Sequence, residues 1–230
     1  MKIGIIGAGQ IGGTLARRLA ALGHDVSIAN SRGPETLAAL AGETGAKPVT
    51  VEQAARAGAV VIIAIPVKNV PLLPNSLFDS VPADVVVVDT GNYYPKRDGR
   101  IGAIENGITE SRWVSEQLDR PVVKVFNTIY ANHLLERGKP KGAAGRIALP
   151  VAGDDRRAKD VIIGLLDELG FDGVDAGGLD ESWRQQAGTP VSGTDLDAAG
   201  ARRALAEAKP ARGEALRAGG ASSAGAGRRG

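Results

Sequence analysis

The apolar positions of the first 30 residues predict a strand, a tight turn, a helix and a second strand. Lys2–Ile6 is a short apolar run without a helical period, and it leads directly into the glycine-rich segment Gly7–Gly12. Leucines at helical spacing follow from residue 15 until Gly23, and Asp25–Ala29 has the pattern of another strand. The chain therefore starts with a β-turn-α-β unit.

The remaining apolar runs continue this alternation. Runs typical of strands are Lys47–Val51, Ala59–Ile65, Asp84–Asp89, Pro121–Phe126, Arg146–Gly153 and Gly173–Ala176. Segments with helical spacing are Pro34–Glu43, Glu52–Ala57, Ile108–Leu118, Ile129–Arg137, Asp154–Leu169 and Ala198–Ala208. The central runs are rich in β-branched residues, which indicates strands buried on both faces of a parallel sheet. The pattern predicts an α/β fold with a Rossmann-type doubly wound parallel sheet and a small C-terminal α/β extension.

Composition divides the chain into three parts. We expect a dinucleotide-binding domain over residues 1–128 and a small α/β domain over residues 129–208. Residues 209–230 contain Ala, Gly, Arg and Ser with Leu216 as the one large apolar residue. Such a segment cannot bury enough apolar surface to offset the entropy of ordering, so we expect a disordered basic tail.

The charge and cysteine content exclude several classes of function. The net charge is only +2, and the pI near 9.0 owes much to the tail, so composition predicts no nucleic-acid partner. The chain has no cysteine and two histidines, which argues against disulfides and zinc sites. Asp154 and Asp155 stand where a helix cap is expected, and we predict capping instead of metal binding. Without a signal peptide pattern or long apolar span, we expect a cytoplasmic protein that does not enter a membrane.

The glycine-rich segment carries the first functional signal. Gly7, Gly9 and Gly12 form a G-x-G-x-x-G pattern that follows a strand and opens a helix, which is the context of a dinucleotide-binding turn. In such turns the first glycine permits the sharp bend, the second lets the backbone approach a pyrophosphate, and the third lets the helix pack close to the strand. The free N–H groups of the helix then face the phosphates. The alternative is a glycine turn that binds nothing.

The end of the second strand distinguishes between the two nicotinamide dinucleotides. An NAD site places Asp or Glu there to bind the ribose 2′-hydroxyl, whereas an NADP site lacks the carboxylate and supplies an arginine. This chain has Asn30, Ser31 and Arg32, which together can hold a 2′-phosphate. The sequence therefore predicts NADP(H), unless Arg32 is simply a solvated loop cation.

Further candidates follow the later strands, because ligands of open α/β sheets lie beyond the carboxyl ends of the strands. Ile65, Pro66 and Val67 follow one strand, although Pro66 can equally be a strand terminator. Asn92 and Asn127 follow the next two, as possible amide partners for a nicotinamide or a substrate carbonyl.

Three side chains are candidates for a proton donor. Tyr93 and Tyr94 follow a strand and can supply a hydroxyl, but they can equally be packing residues. His133 is the only imidazole near the predicted groove, and a helix-surface role is the alternative for it. We find no Ser/His/Asp arrangement.

With these residues in place, the chain resembles the coenzyme F420-dependent NADP oxidoreductase family. The resemblance rests on residues 1–32, 64–66, 122–128, 150–155, 169–171 and 175–177. It implies that Gly7, Gly9, Gln10, Ile11 and Gly12 hold the pyrophosphate, that Ser31 and Arg32 hold the 2′-phosphate, and that Pro66 and Val67 line the nicotinamide. It also implies a deazaflavin stacked on the nicotinamide, and a homodimer.

Three functions compete at this point. The first is hydride transfer between NADP(H) and a small-molecule redox acceptor, coenzyme F420 by resemblance, in which the protein aligns two cofactors and excludes water. The second is reduction of a small C=O or C=N compound with His133, Tyr93 or Tyr94 as proton donor. The third is a non-catalytic NADP-binding sensor.

Overall fold

The computed structural model describes residues 1–210 and shows a six-stranded parallel sheet with the strand order β3-β2-β1-β4-β5-β6. The strands of this sheet are β1 Lys2–Ile6, β2 Asp25–Ala29, β3 Lys47–Pro48, β4 Val60–Ile63, β5 Val86–Asp89 and β6 Val122–Lys124. The helices are α1 Gln10–Ala21, α2 Ala38–Thr44, α3 Val51–Ala55, α4 Pro95–Asp98, α5 Gly102–Glu105, α6 Glu110–Leu118, α7 Ala131–Glu136, α8 Arg156–Leu169 and α9 Ala198–Glu207. This order is that of a doubly wound Rossmann sheet, as the sequence predicts.

Alternate residues of each central strand pack on opposite faces of the sheet. Ile3 and Ile5 of β1 lie in a core with residues of α1, α7 and α8, whereas Ile6 lies in a second core with residues of α3 and α6. Both faces are therefore covered by helices. This explains why the strands are continuous apolar runs instead of alternating ones.

The predicted elements are confirmed, with shifts at their ends. The run Ala59–Ile65 shortens to β4, because the chain leaves the sheet before Pro66. The predicted helix Pro34–Glu43 is divided into the 3-10 helix Pro34–Leu37 and α2, since Leu37 has the non-helical angles φ −103° and ψ 6°. The structure also has a 3-10 helix at Leu179–Gln185, which is not among the elements that the apolar pattern predicts.

The C-terminal part shares the core of the main sheet. Strands β7 Ala148–Val151 and β8 Asp172–Asp175 form a parallel pair, and Ala152 forms an antiparallel bridge with Lys124 of β6. The buried residues of α8 lie in the same hydrophobic cluster as those of α1. The Arg18 guanidinium of α1 adds a polar link by donating to the carbonyl of Leu169 at 2.6 Å. The small extension is thus packed directly on the Rossmann unit.

The described residues also bear on the sequence predictions about membrane spans, metal ligands and the cap of α8. Within residues 1–210 no helix is long and apolar enough to cross a membrane, and no three side chains of the metal-ligating types cluster together. Asp155 caps α8 by accepting from the N–H groups of Arg157 and Ala158, as predicted. Residues 211–230, which form nearly all of the predicted disordered tail, lie outside the described residues.

Candidate cofactor-binding groove

The glycine turn between β1 and α1 has the geometry that its three glycines predict. Gly7 has φ +113°, and a Cβ built there would lie 2.2 Å from the carbonyl oxygen of Ala64. A Cβ on Gly12 would lie 1.8 Å from the carbonyl oxygen of Gly7. Both positions therefore exclude any side chain, because backbone atoms already occupy the space.

Gly9 differs from these two glycines because its surroundings are open. Apart from Gly9 itself and its two chain neighbours, no atom of residues 1–210 lies within 4 Å of a Cβ built on Gly9. Gly9 is also the N-cap of α1, and among the described residues no side chain caps this helix and none in its first turn is acidic. The N–H groups of Gln10, Ile11 and Gly12 thus open the helix beside free space, where a phosphate group fits.

The segment after β2 presents a cation at the surface. The Asn30 side chain is used locally, since its oxygen accepts from the backbone N–H of Arg32 at 2.9 Å and its amide donates to Thr36 at 2.8 Å. Ser31 and Arg32 are both exposed. Asn30 therefore shapes the turn, and the hydroxyl and guanidinium that follow it are free to meet a 2′-phosphate.

The carboxyl ends of β1, β4 and β5 form one continuous row. The Ile65 side chain would lie 2.9 Å from a Cβ on Gly7, so it covers the glycine turn directly. Val67 packs towards Gly91, where a built Cβ would lie 3.1 Å from Val67 Cγ2. Val67 is almost fully buried, whereas Ile65 and Pro66 are partly exposed and form the open part of this wall.

Two of the predicted amides meet at the ends of β5 and β6. Asn92 donates to the backbone carbonyl of Asn127 at 2.8 Å, and the Asn127 amide donates to the Asn92 side-chain oxygen at 3.1 Å. Asn127 also donates to the carbonyl of Gln185 at 2.6 Å. The Gln185 side chain donates to the Asn127 oxygen and to the carbonyl of Pro150. Gln185, from the C-terminal part of the chain, thereby fixes the orientation of the Asn92–Asn127 pair.

A buried charge cluster, formed by Asp89, Lys124 and Glu110, lies under this edge of the sheet. The Lys124 ammonium is fully buried, 3.0 Å from Asp89 Oδ2 and 3.9 Å from Glu110 Oε2. It also donates to the carbonyl of Gly91, while Asp89 accepts from the Gly91 N–H and from the Ser111 hydroxyl. The cluster therefore anchors the turn that carries Asn92.

Glu110 is the unbalanced member of the cluster. Burial raises the pKa of its carboxyl to about 7, and the nearby Lys124 ammonium only partly opposes this effect. The backbone N–H of Tyr93 also binds this carboxyl. Of the described buried side-chain atoms, Glu110 Oε2 is one that has no hydrogen-bond partner.

The two tyrosines after β5 have different surroundings. The Tyr93 hydroxyl lies 3.0 Å from the Gly99 carbonyl and 2.9 Å from a Glu105 oxygen, and it accepts from the N–H of Ile101. Burial raises its pKa. Tyr94 is half-buried, and its hydroxyl interacts with the Asn92 side chain. Burial and the nearby Glu110 carboxyl raise the pKa of Tyr94. The structure thus ties Tyr93 into its own loop and brings Tyr94 to the amide pair.

His133 lies on α7, and its ring binds Asp195, which precedes α9. Its Nδ1 is 2.8 Å from Asp195 Oδ1, and Arg137 pairs with the same carboxylate. The ring also meets Tyr130 edge-on, with ring centroids 5.4 Å apart. These contacts give His133 a structural partner that the sequence did not indicate.

Sequence reasoning missed four residues of this region. Lys124 and Asp89 did leave a signal, because each is a charged residue within or beside an apolar run that predicts a doubly buried strand. Glu110 opens an amphipathic helix where an exposed acidic residue is usual, and Gln185 lies in a polar stretch, so neither stood out.

Comparison with known proteins supports this description. Residues 2–93 match the model of the family described as NADP oxidoreductase, coenzyme F420-dependent. The Escherichia coli (strain K12) protein YjhV is 45% identical over 76 residues, which cover 33% of this chain and 56% of YjhV. This match therefore spans little more than half of that relative.

Two solved structures are similar over most of their length. The hypothetical protein SMa0349 of Sinorhizobium meliloti is 33% identical, with a TM-score of 0.72 over 84% of this chain and 93% of that one. A protein of Arthrobacter sp. FB24, provisionally assigned as an F420-dependent NADP-reductase, is 25% identical, with a TM-score of 0.62 over 77% of this chain and 85% of that one. Together with the glycine turn and the strand order, these matches show that the chain belongs to the family of coenzyme F420-dependent NADP oxidoreductases.

Proposed function

We propose that the protein transfers hydride between NADP(H) and a deazaflavin of the coenzyme F420 type. The observation that carries the proposal is the uncapped N-terminus of α1 beside the open space at Gly9, with exposed Arg32 at the end of the neighbouring strand. The family description supports the choice of both cofactors.

The residues of the groove have separate roles in this proposal. The N–H groups at the start of α1 bind the pyrophosphate, and Ser31 and Arg32 bind the 2′-phosphate. The open wall at Ile65 and Pro66 orients the nicotinamide and excludes water from one side of it. The bound nicotinamide supplies the hydride in the reductive direction.

Direct hydride transfer from NADPH to the acceptor does not require a nucleophilic side chain or a metal ion. The hydride carries two electrons and one hydrogen to the acceptor, NADPH becomes NADP⁺, and the reduced acceptor takes its second hydrogen as a proton from solvent. Direct transfer between two stacked rings requires alignment above all.

Mixing the protein with NADPH and purified coenzyme F420 tests this proposal. We expect the absorbance of both compounds to fall together, at a rate proportional to protein concentration. No NADPH oxidation above the rate without protein would contradict the proposal. Tight NADPH binding without oxidation by F420 or any of a panel of acceptors would instead support a non-catalytic NADP sensor.

A specific contact also favours reduction of a small C=O or C=N substrate as a second candidate. Tyr94, with its hydroxyl at the Asn92 side chain, is placed at the edge where a substrate carbonyl would lie. This reaction needs a proton donor, so Tyr94→Phe should abolish turnover under this alternative and leave the F420 reaction largely intact. Tyr93→Phe is the matched control, because the Tyr93 hydroxyl is bound within its own loop.

A further inference from the structure

The buried charge cluster holds more negative than positive charge. Lys124 is its one ammonium, and Asp89 and Glu110 are its two carboxyls, with exposed side-chain fractions of 0%, 3% and 4%. Lys124 lies within hydrogen-bond distance of Asp89, whereas Glu110 Oε2 is 3.9 Å away and unpartnered among the described residues. One cation neutralises one carboxylate, so the net charge of the cluster is set by the protonation of Glu110.

The backbone of the groove forms the boundary of this cluster. Gly91 donates its N–H to Asp89 and accepts from Lys124 through its carbonyl, and the next N–H but one, that of Tyr93, binds Glu110. Between these two residues stands Asn92, at the carboxyl edge of the sheet. Gly91 thus lies between the cluster and the proposed nicotinamide wall, since a Cβ built on it would be 3.0 Å from Asp89 Oδ1 and 3.9 Å from the carbonyl oxygen of Ile65.

Among the described residues, Lys124 is the one cation within 4.0 Å of the Glu110 carboxyl. Asp98 of α4 adds a negative charge that acts on Glu110, but the Arg97 guanidinium binds the same Asp98 carboxylate at 2.8 Å and partly offsets it. Tyr94 is neutral below its raised pKa. Ser111 donates to Asp89. The remaining charges have their own partners: Lys68 donates to the carbonyl of Arg97, Glu105 lies against the Tyr93 hydroxyl and Arg100, and Arg112 pairs with Asp154 and Asp180.

We propose that this cluster makes the groove selective for the redox state of its nicotinamide, with Glu110 as the residue that determines the preference. An oxidised nicotinamide ring is a cation and a reduced one is neutral. An ionised Glu110 attracts the cation through a low-dielectric interior, where charges act strongly. NADP⁺ therefore binds best when Glu110 has lost its proton, and NADPH binds equally well in both states.

Binding of NADP⁺ and ionisation of Glu110 favour each other. A bound cation favours ionised Glu110, so binding of NADP⁺ releases a proton near neutral pH and the affinity for NADP⁺ rises with pH. The 2′-phosphate also titrates, but it is common to both forms of the cofactor. The ratio of the two dissociation constants, Kd(NADPH)/Kd(NADP⁺), cancels this contribution and reports the ring charge alone.

The experiment measures the dissociation constants of NADPH and of NADP⁺ by calorimetry, at several pH values over the range in which Glu110 is expected to ionise. This inference rests on the proposed cofactor site. For the unmodified protein we expect the ratio Kd(NADPH)/Kd(NADP⁺) to rise about fivefold from about pH 6 to about pH 8.5, as a one-unit decrease of the pKa of Glu110 from about 7 requires. Glu110→Gln should make the ratio independent of pH. Glu116→Gln, which removes an exposed carboxylate from the same helix, should leave the rise intact.

A second measurement does not depend on any variant. Calorimetry at about pH 7 in two buffers of different ionisation enthalpy should show proton release on binding of NADP⁺ that exceeds the release on binding of NADPH. Equal proton release, a flat ratio in the unmodified protein, or a rise retained by Glu110→Gln would overturn the inference while leaving cofactor binding in place. Failure of both nucleotides to bind would overturn the proposed function itself.

Discussion

Arg32 is the single side chain on which the preference for NADP(H) depends. Its backbone is fixed by Asn30, and its guanidinium projects from an exposed turn at the end of β2. We expect Arg32→Ala to weaken NADPH binding by about 1.5–3 kcal/mol, roughly 10- to 100-fold in Kd, because a charge-assisted bond to the 2′-phosphate is lost. The affinity for NADH should not change. Arg203→Ala, at another exposed arginine, is the control, and equal affinity of wild type and Arg32→Ala for NADPH would disprove this role.

The substitution Gly12→Ala tests the close packing of α1 against the glycine turn. A methyl group there would lie 1.8 Å from the Gly7 carbonyl oxygen, so Gly12→Ala must displace the helix. We expect a loss of about 1–3 kcal/mol in the free energy of unfolding and a loss of NADPH binding. Gly164→Ala is the matched control, because nothing described lies within 4 Å of that position in α8. It should stabilise the protein by roughly 0.5–1 kcal/mol in urea unfolding.

Lys124 is the residue whose removal should harm the fold most. Lys124→Met leaves two buried carboxyls without their counter-ion, and breaking such a pair costs about 3–5 kcal/mol. Lys141→Met, which removes a lysine with an 82% exposed side chain, should change the free energy of unfolding by less than about 1 kcal/mol. Urea titration of both variants makes the comparison, and similar values for the two would contradict the buried position of Lys124.

Glu110 should also make stability depend on pH. Its folded-state pKa of about 7 lies above the ordinary value of 4.5, so the folded state binds a proton that the unfolded state has released. The associated stability is present at low pH and is lost as the pH rises through about 7, on the order of 3 kcal/mol in total. Urea unfolding of wild type and Glu110→Gln at several pH values should show this loss in wild type only. Parallel pH profiles of the two proteins would contradict it.

At the scale of secondary-structure elements, the 3-10 helix Leu179–Gln185 joins the C-terminal part to the groove. Gln185 bonds to the carbonyl of Pro150 in β7 and to Asn127 after β6. Gln185→Leu should leave those buried groups unpaired and cost about 1–3 kcal/mol per unsatisfied group. It should also weaken NADPH binding, because Asn127 and Asn92 lose their fixed orientation. Gln117→Leu, on the exposed side of α6, is the control for both thermal unfolding and binding.

The same elements show what a sequence can and cannot predict. Gly7 and Gly12 are predictable because their constraint is local: the turn between β1 and α1 admits no Cβ there. The sheet order is predictable because uninterrupted β-branched strands alternate with helices. The cluster of Asp89, Lys124 and Glu110 is not, since its members come from three elements that meet only when the sheet and α6 pack together. The bonds of Tyr93 and His133 likewise depend on loops whose paths have no local signature.

At the scale of the whole molecule, the shared core predicts one cooperative unfolding transition. The chain contains two tryptophans, Trp113 in α6 and Trp183 in the C-terminal 3-10 helix. In Trp183→Phe the remaining Trp113 reports the unfolding of the Rossmann part, and in Trp113→Phe the remaining Trp183 reports the unfolding of the C-terminal part. We expect both transitions to coincide with the loss of far-UV circular dichroism within each variant. Separate midpoints for the two probes would show two independently folding units.

The homodimer implied by the family resemblance remains a prediction. Light scattering of the purified protein tests it, with twice the chain mass of 23.6 kDa as the expected result. A mass of one chain would contradict the homodimer.

The most direct test of cofactor recognition is a calorimetric titration of the unmodified protein with NADPH and with NADH at fixed pH and salt. The free N-terminus of α1 and the exposed Arg32 predict saturable binding of one NADPH per chain, and binding of NADH that is weaker by roughly 10- to 100-fold. Equal affinity for the two nucleotides, or no heat of binding with millimolar NADPH, would contradict the assignment of this groove to NADP(H).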